Sequence, residues 1–244
     1  MTVWIQKNTE GYCSTHNMWL AYDGFSKRGF ECKEFTFQDM QNGSLKLNSQ
    51  EDIVCGGVLT IHLALKQMKL QMPESLDYPE VLEPFFGRKI EKRVWREVLL
   101  YINEDNYVNP VFVKPCFEKV WTGRVITSFL DLIKIGNPEL EYPVWVSEPM
   151  NFESEFRVMV LGDQMRSINF YKGNAFLVPS EDKIKEMISL MKQCEIAAYS
   201  LDVGVVNGDQ TYLVEVNDSY ALGSYGPESV LYSKMIEARW EQFR

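Results

Sequence analysis

Two short runs rich in β-branched residues, Ser200–Val206 and Gln210–Asn217, stand on either side of Gly208-Asp209. Period-two alternation around a Gly-X pair is the pattern of a β-hairpin, whereas a helix would scatter the same apolar positions around its circumference. Counting outward from a two-residue loop flanked by Asn207 and Gln210 sets Asp202 opposite Glu215 and Ser200 opposite Asn217. Asp202, Glu215 and Asn217 then share one face, and Leu201, Val203, Val205, Tyr212, Val214 and Val216 make the other, apolar one. A one-residue slip would turn the apolar set into water, so the register is strongly specified.

Two carboxylates opposed on a ladder repel, by roughly 0.2–1 kcal/mol when exposed and by more as the surroundings become less polar. A shared proton or a cation between them relieves the repulsion. Hard oxygen donors at this spacing, with an amide carbonyl two residues on, suit Mg²⁺ rather than zinc. The alternative is a solvent-facing acidic hairpin whose other face is core.

A second hairpin is read at Glu155–Leu161, Gly162-Asp163 and Gln164–Tyr171. The same counting sets Arg157 opposite Ile168 and Met159 opposite Arg166, so Arg157, Arg166 and Lys172 share a face with Glu155 beside them. Phe156, Val158, Val160 and Met165 form the packing face. Two guanidinium forks and an ammonium on one face fit a polyanion; the alternative is a wet face with its charges turned outward. A cationic hairpin face near an acidic one is the arrangement that a metal–triphosphate complex would complement. Lys114 ends the apolar strand Val111–Val113 just before Pro115, so its ammonium needs a partner or an opening. Lys119 falls in Phe117–Gly123, which reads either as a loop that could fold over phosphates or as an ordinary connection.

The first hundred residues read as α/β, with strands at Thr2–Ile5, Glu31–Phe37 and Asp52–Cys55 and helices at Asn17–Phe25 and Val58–Lys69. Gly56-Gly57 lies between strand and helix but fits neither G-x-G-x-x-G nor G-x-x-x-x-G-K-[ST], so it reads as a plain tight turn. Pro73, Pro79 and Pro84 mark Met72–Phe86 as a connector between lobes. Arg88–Ile102 reads as a basic helix with a solvated face, Val111–Pro115 and Val144–Glu148 as strands, and Ser180–Cys194 and Glu228–Gln242 as helices, the first N-capped by Ser180.

Composition narrows the function classes. Twenty-five basic against 34 acidic residues give a net charge of −9, which argues against generic nucleic-acid or anionic-membrane binding while allowing a local cationic pocket. Two histidines, His16 and His62, and five scattered cysteines without a C-x-x-C pair argue against a zinc centre or a Ser-His-Asp triad and for free thiols. No apolar run reaches the ~18–20 residues of a membrane span. The N-terminal residues lack the pattern of a signal peptide, so a cytoplasmic location is expected.

Val111-Phe112-Val113-Lys114-Pro115, Trp145-Val146-Ser147-Glu148-Pro149, Glu155-Phe156-Arg157-Val158 and Asp202-Val203-Gly204-Val205, followed by Leu213-Val214-Glu215-Val216-Asn217-Asp218, resemble in this order an ATP-grasp domain. The likeness is to a short branch, often encoded by phages or bacteria, with two arginines and a lysine at the phosphate end, and it spans roughly Arg88–Arg244. It implies an α+β fold in which two lobes sandwich ATP (residues 86–244, divided into 86–145 and 146–244), preceded by a small α/β pre-grasp lobe (1–85). It implies that Lys114 and Lys119 approach the nucleotide and that Glu148, Pro149 and Met150 form the segment holding adenine and ribose. Arg157, Arg166 and Lys172 would bind the transferring phosphate, and Asp202, Glu215 and Asn217 would be the Mg²⁺ ligands. Ser219–Gly226 would be a Gly-rich loop near the acceptor.

The chemistry so implied is ATP- and Mg²⁺-dependent ligation of a carboxylate to an amine or related nucleophile through an acyl-phosphate, with a peptide or protein among the candidate substrates. Such chemistry needs charge neutralisation and alignment rather than a protein nucleophile. The alternative is an ATP-binding assembly factor or chaperone of the same fold with little turnover. Nucleic-acid end joining is disfavoured by the acidic total and by the lack of a Lys-x-Asp-Gly motif.

Overall fold

The computed structural model describes residues 1–101, 109–117 and 121–244. The chain forms two compact units, one made of Met1–Glu83 with Glu153–Arg244 and the other of Pro84–Phe152.

The first unit begins with β1 (Thr2–Lys7), α1 (His16–Lys27), β2 (Glu31–Thr36), α2 (Phe37–Gln41), β3 (Ile53–Cys55) and α3 (Val58–Met68). The strands pair in parallel in the order β2-β1-β3, as expected when helices make the crossovers. Thr15 caps α1 by accepting from the Met18 amide, and Thr36 and Asp39 form a capping box at α2. The turn at Gly56-Gly57 is closed from within: the Gln6 Oε1 accepts from the Gly57 amide at 3.1 Å and from the Thr60 hydroxyl at 2.8 Å.

The second unit holds β4 (Ile90–Val94), α4 (Trp95–Val98), β5 (Val111–Pro115), β6 (Arg124–Ile126), α5 (Phe129–Ile135) and β7 (Pro143–Ser147). Its antiparallel sheet runs β4-β7-β5-β6 over a small core that includes Trp95, Val111, Val113, Ile126, Val144 and Val146. The basic helix expected at Arg88–Ile102 is instead a strand, one helical turn at Trp95–Val98 and a 3₁₀ turn at Leu99–Tyr101. The strand is drawn out by pairing from Ile90↔Ser147 to Val94↔Pro143. Tertiary pairing overrides the local charge pattern, and the end of that reading, Ile102, lies outside the described residues.

The chain re-enters the first unit with β8 (Ser154–Leu161), β9 (Gln164–Gly173), α6 (Glu181–Met191), β10 (Ala198–Val206), β11 (Gln210–Asp218) and α7 (Ser229–Phe243). Ser180 caps α6 by accepting from the Lys183 amide. Ile184, Met187, Ile188 and Met191, at i, i+3, i+4 and i+7, bury its inner face. The four-stranded sheet runs β11-β10-β8-β9, and all of β8 except Leu161 is buried. Helix α7 packs on α1, β3, β8 and β10, burying Tyr232, Met235, Ile236, Trp240 and Phe243 in the core that also takes Val3, Ile5 and Met159. Gly24 of α1 allows this approach, since a Cβ there would lie 2.0 Å from the Ser229 carbonyl oxygen.

Both hairpin registers depart from the counting at their bulges. In β10–β11 the loop is Asn207-Gly208-Asp209, with Asn207 and Gly208 at φ of 52° and 83°, and Val206 pairs with Gln210. The two-residue loop is therefore wrong by one residue. A bulge at Val214 removes the error, since Val203 pairs with Leu213 but Asp202 with Glu215. Beyond the bulge Thr211 and Leu213 are buried in place of the expected Tyr212 and Val214. In β8–β9 the pairs are Arg157↔Asn169 and Met159↔Ser167 rather than Arg157↔Ile168 and Met159↔Arg166. Arg166 falls at one bulge and Tyr171 at the other, while Lys172 pairs with Glu155.

Among the described residues no helix is long and apolar enough to cross a membrane.

Candidate active site

The two central strands of the second sheet set the site. Asp202 on β10 pairs with Glu215 on β11 and, across the other edge, with Arg157 on β8, so three charged residues stand side by side on one face. Asp202 is 2% and Arg157 5% exposed, a depth at which both charges must be compensated. Arg157 meets the need as a fork, donating from Nε to Asp202 Oδ1 at 2.7 Å and from Nη2 to Oδ2 at 2.5 Å. Burial pushes the Asp202 carboxyl up to about 6, with Arg157 pulling against it and the Glu215 and Glu155 charges adding to the rise.

Asn217, opposite Ser200 as its register requires, bridges the acids: its side-chain amide donates to Asp202 Oδ2 at 3.3 Å and to Glu215 Oε1 at 3.1 Å. This donor set fits Mg²⁺, because two carboxylates and an amide that can turn its carbonyl inward are all hard oxygen ligands. Among the described residues no three His, Cys, Asp or Glu side chains converge as a metal cluster, so the candidate cation site is an acidic pair with an amide.

The cationic side of the site is only partly assembled. Buried Glu155 accepts from the Tyr171 hydroxyl at 2.7 Å and is paired with Lys172, whose side chain stays 66% exposed. Arg166 is exposed and takes no part in the Arg157–Asp202 pair. In the other unit Lys114 is buried on β5 opposite Trp145. Glu148 and Pro149 follow the end of β7 as exposed residues. Glu148 accepts from the Lys89 amide at 3.4 Å, and the Arg88 guanidinium lies 4.0 Å from the Met150 sulfur. Lys119 lies outside the described residues.

Sequence reasoning passed over the aromatic cover of this site. Tyr225 stacks on Tyr171 with ring centroids 4.7 Å apart, and the Arg157 guanidinium lies 4.6 Å from its ring centroid. The Gly223 carbonyl accepts from Arg157 Nη1 at 2.7 Å. The loop that carries both is fixed at its root, where Arg239 of α7 forks onto the buried Asp218 carboxylate and the Tyr232 hydroxyl donates to the Leu222 carbonyl. Its tip is held by a bond from the Ser224 amide to the Asn17 side chain at 3.0 Å. The signal available in sequence was the Ser-Tyr-Ala-Leu-Gly-Ser-Tyr-Gly run, which marks a loop but no contact.

Known proteins share this arrangement of elements. The family model of an ATP-grasp domain, family 2 of the two-arginine–lysine clade, matches residues 85–235. No curated protein matches in sequence. Among solved structures, D-alanine–D-alanine ligase from Bacillus anthracis complexed with ATP is 15% identical, with 99% of this chain and 97% of that chain covered at a TM-score of 0.59. The RimK domain ATP-grasp protein from Sphaerobacter thermophilus is 12% identical, with 98% and 99% covered and a TM-score of 0.60. The macrocyclase MdnC from Microcystis aeruginosa, bound with precursor peptide MdnA, is 13% identical, with 97% and 99% covered and a TM-score of 0.53. At these identities the likeness speaks for the fold.

Proposed function

Because this chain belongs to the ATP-grasp superfamily, in family 2 of the two-arginine–lysine clade, we propose that it is an ATP- and Mg²⁺-dependent ligase. It would join a carboxylate to an amine or related nucleophile through an acyl-phosphate of the substrate acid. The observation that carries this reading is the face on which Asp202, Glu215 and Asn217 meet beside Arg157. Asp202, Glu215 and Asn217 would hold the cation, which neutralises phosphate charge and fixes phosphate geometry when bound.

Arg157, Arg166 and Lys172 would carry the charge of the transferring phosphoryl group, and Lys114, Lys119 and the Glu148–Met150 segment would hold the nucleotide. Glu155 supports the role of Lys172, since the buried carboxylate draws that ammonium to the Arg157 side of the strand pair. A peptide or protein substrate enters the proposal from MdnC, whose structure contains its precursor peptide.

The reading is tested on Glu215→Gln, which keeps shape and removes charge at a half-buried position. Calorimetric titration with Mg²⁺·ATP should show affinity lower by tenfold or more, equivalent to about 1.4 kcal/mol, with unchanged circular dichroism. Unchanged affinity removes Glu215 from the cation site. An assembly factor of the same fold is separated by product analysis: a ligase releases ADP and phosphate in step with consumption of acid and nucleophile.

A further inference from the structure

All three guanidinium nitrogens of Arg157 are engaged by groups of the chain itself. Nε and Nη2 are taken by the two oxygens of Asp202, and Nη1 by the Gly223 carbonyl. The guanidinium face is covered as well, by the ring of Tyr225. A side chain so committed cannot fork onto a phosphoryl group without giving up part of this set. Asp202 is in the same position, because each of its oxygens that turns to a divalent cation is lost to the guanidinium. The cation then repels Arg157 at short range in a poorly screened setting.

The loop answers to the same side chain. Tyr225 has φ of 48°, in the left-handed region that a non-glycine residue occupies only when contacts hold it there. Those contacts are the Arg157 guanidinium and the Tyr171 ring, while Tyr225 itself is 51% exposed. Gly223 must lack a side chain for the clasp to close, since a Cβ there would lie 2.9 Å from Arg157 Nη1.

We propose that Arg157 is a latch between the acidic pair and the Leu222–Gly226 loop: when a divalent cation with nucleotide takes Asp202, Arg157 leaves Gly223 and Tyr225, and the loop opens over the face where the acceptor would enter. This rests on the cation role of Asp202 proposed above. The latch couples the two ends of the site, so the acceptor would meet an open loop only after the nucleotide is in place, and Tyr225 would shield Arg157 until then.

The test is hydrogen–deuterium exchange of the full chain, read on peptides covering residues 222–226, without ligand and with Mg²⁺ and a non-hydrolysable ATP analogue. Calorimetry on the same preparation measures binding. The latch predicts that ligand raises exchange at Ser224–Gly226 severalfold. It also predicts that Tyr225→Gly, which keeps the left-handed backbone but removes the ring, exchanges fast with or without ligand while still binding the nucleotide. Binding with unchanged or slower exchange in this segment overturns the latch alone, as does wild-type protection in Tyr225→Gly. Absence of any nucleotide binding overturns the proposed function, and the latch falls with it.

Discussion

Arg157 and Asp202 illustrate how a buried charge ties stability to chemistry at one residue. Removing one partner leaves the other uncompensated at a depth where water does not reach, which typically costs about 3–5 kcal/mol. Arg157→Met is therefore expected to lower the unfolding free energy by that amount in urea denaturation, and the double variant Arg157→Met with Asp202→Leu to recover most of it. A loss in the single variant no larger than in the double would mean that the pair is not coupled. Glu215, half-buried beside the same pair, lacks this structural load and is the cleaner probe of function. The placement of these residues was legible in the sequence because strand alternation assigns charged positions to a face before any tertiary contact is known. The roles of Tyr225 and Gly223 were not, because a left-handed loop closing over a guanidinium is decided by partners more than sixty positions away.

At the scale of elements, the C-terminal hairpin was read correctly where it matters through two offsetting departures. Its loop has three residues instead of two, and Val214 is squeezed out as a bulge, so the facing of Asp202 and Glu215 survives while the face of Tyr212 does not. The β8–β9 pair carries a bulge at Arg166 and another at Tyr171, and no such compensation keeps Arg157 opposite Ile168. Bulges are local insertions that leave the apolar alternation nearly intact, so a pattern count cannot see them. The segment before the second sheet was misread because five residues, Ile-Glu-Lys-Arg-Val, fit a helical stripe and a strand equally well. Helix packing supplies the prediction at this scale. Gly24→Ala should force apart α1 and α7, costing about 1–3 kcal/mol, read as a lower urea midpoint. Gly43→Ala, where a Cβ meets nothing within 4 Å, should instead pay only for its left-handed φ of 70°.

For the molecule as a whole, the α+β ATP-grasp fold was legible from the order of its short motifs, and the family match over residues 85–235 agrees with that order. The division of the chain was less so. The N-terminal strands and helices share a core with α7 and Met159, so the first unit joins both ends of the sequence, a long-range association that composition shifts do not reveal. The net charge of −9 coexists with a site whose acids are compensated locally, by Arg157 and Lys172. The central claim is that the facing acids of the last hairpin jointly hold a divalent cation. Crystals grown with Mn²⁺ in place of Mg²⁺ and a non-hydrolysable ATP analogue test it most directly, through anomalous density. The account predicts one peak bonded to oxygens of both Asp202 and Glu215, with Arg157 turned away from Asp202. Nucleotide bound with its cation elsewhere, and the Arg157–Asp202 fork intact, would contradict it.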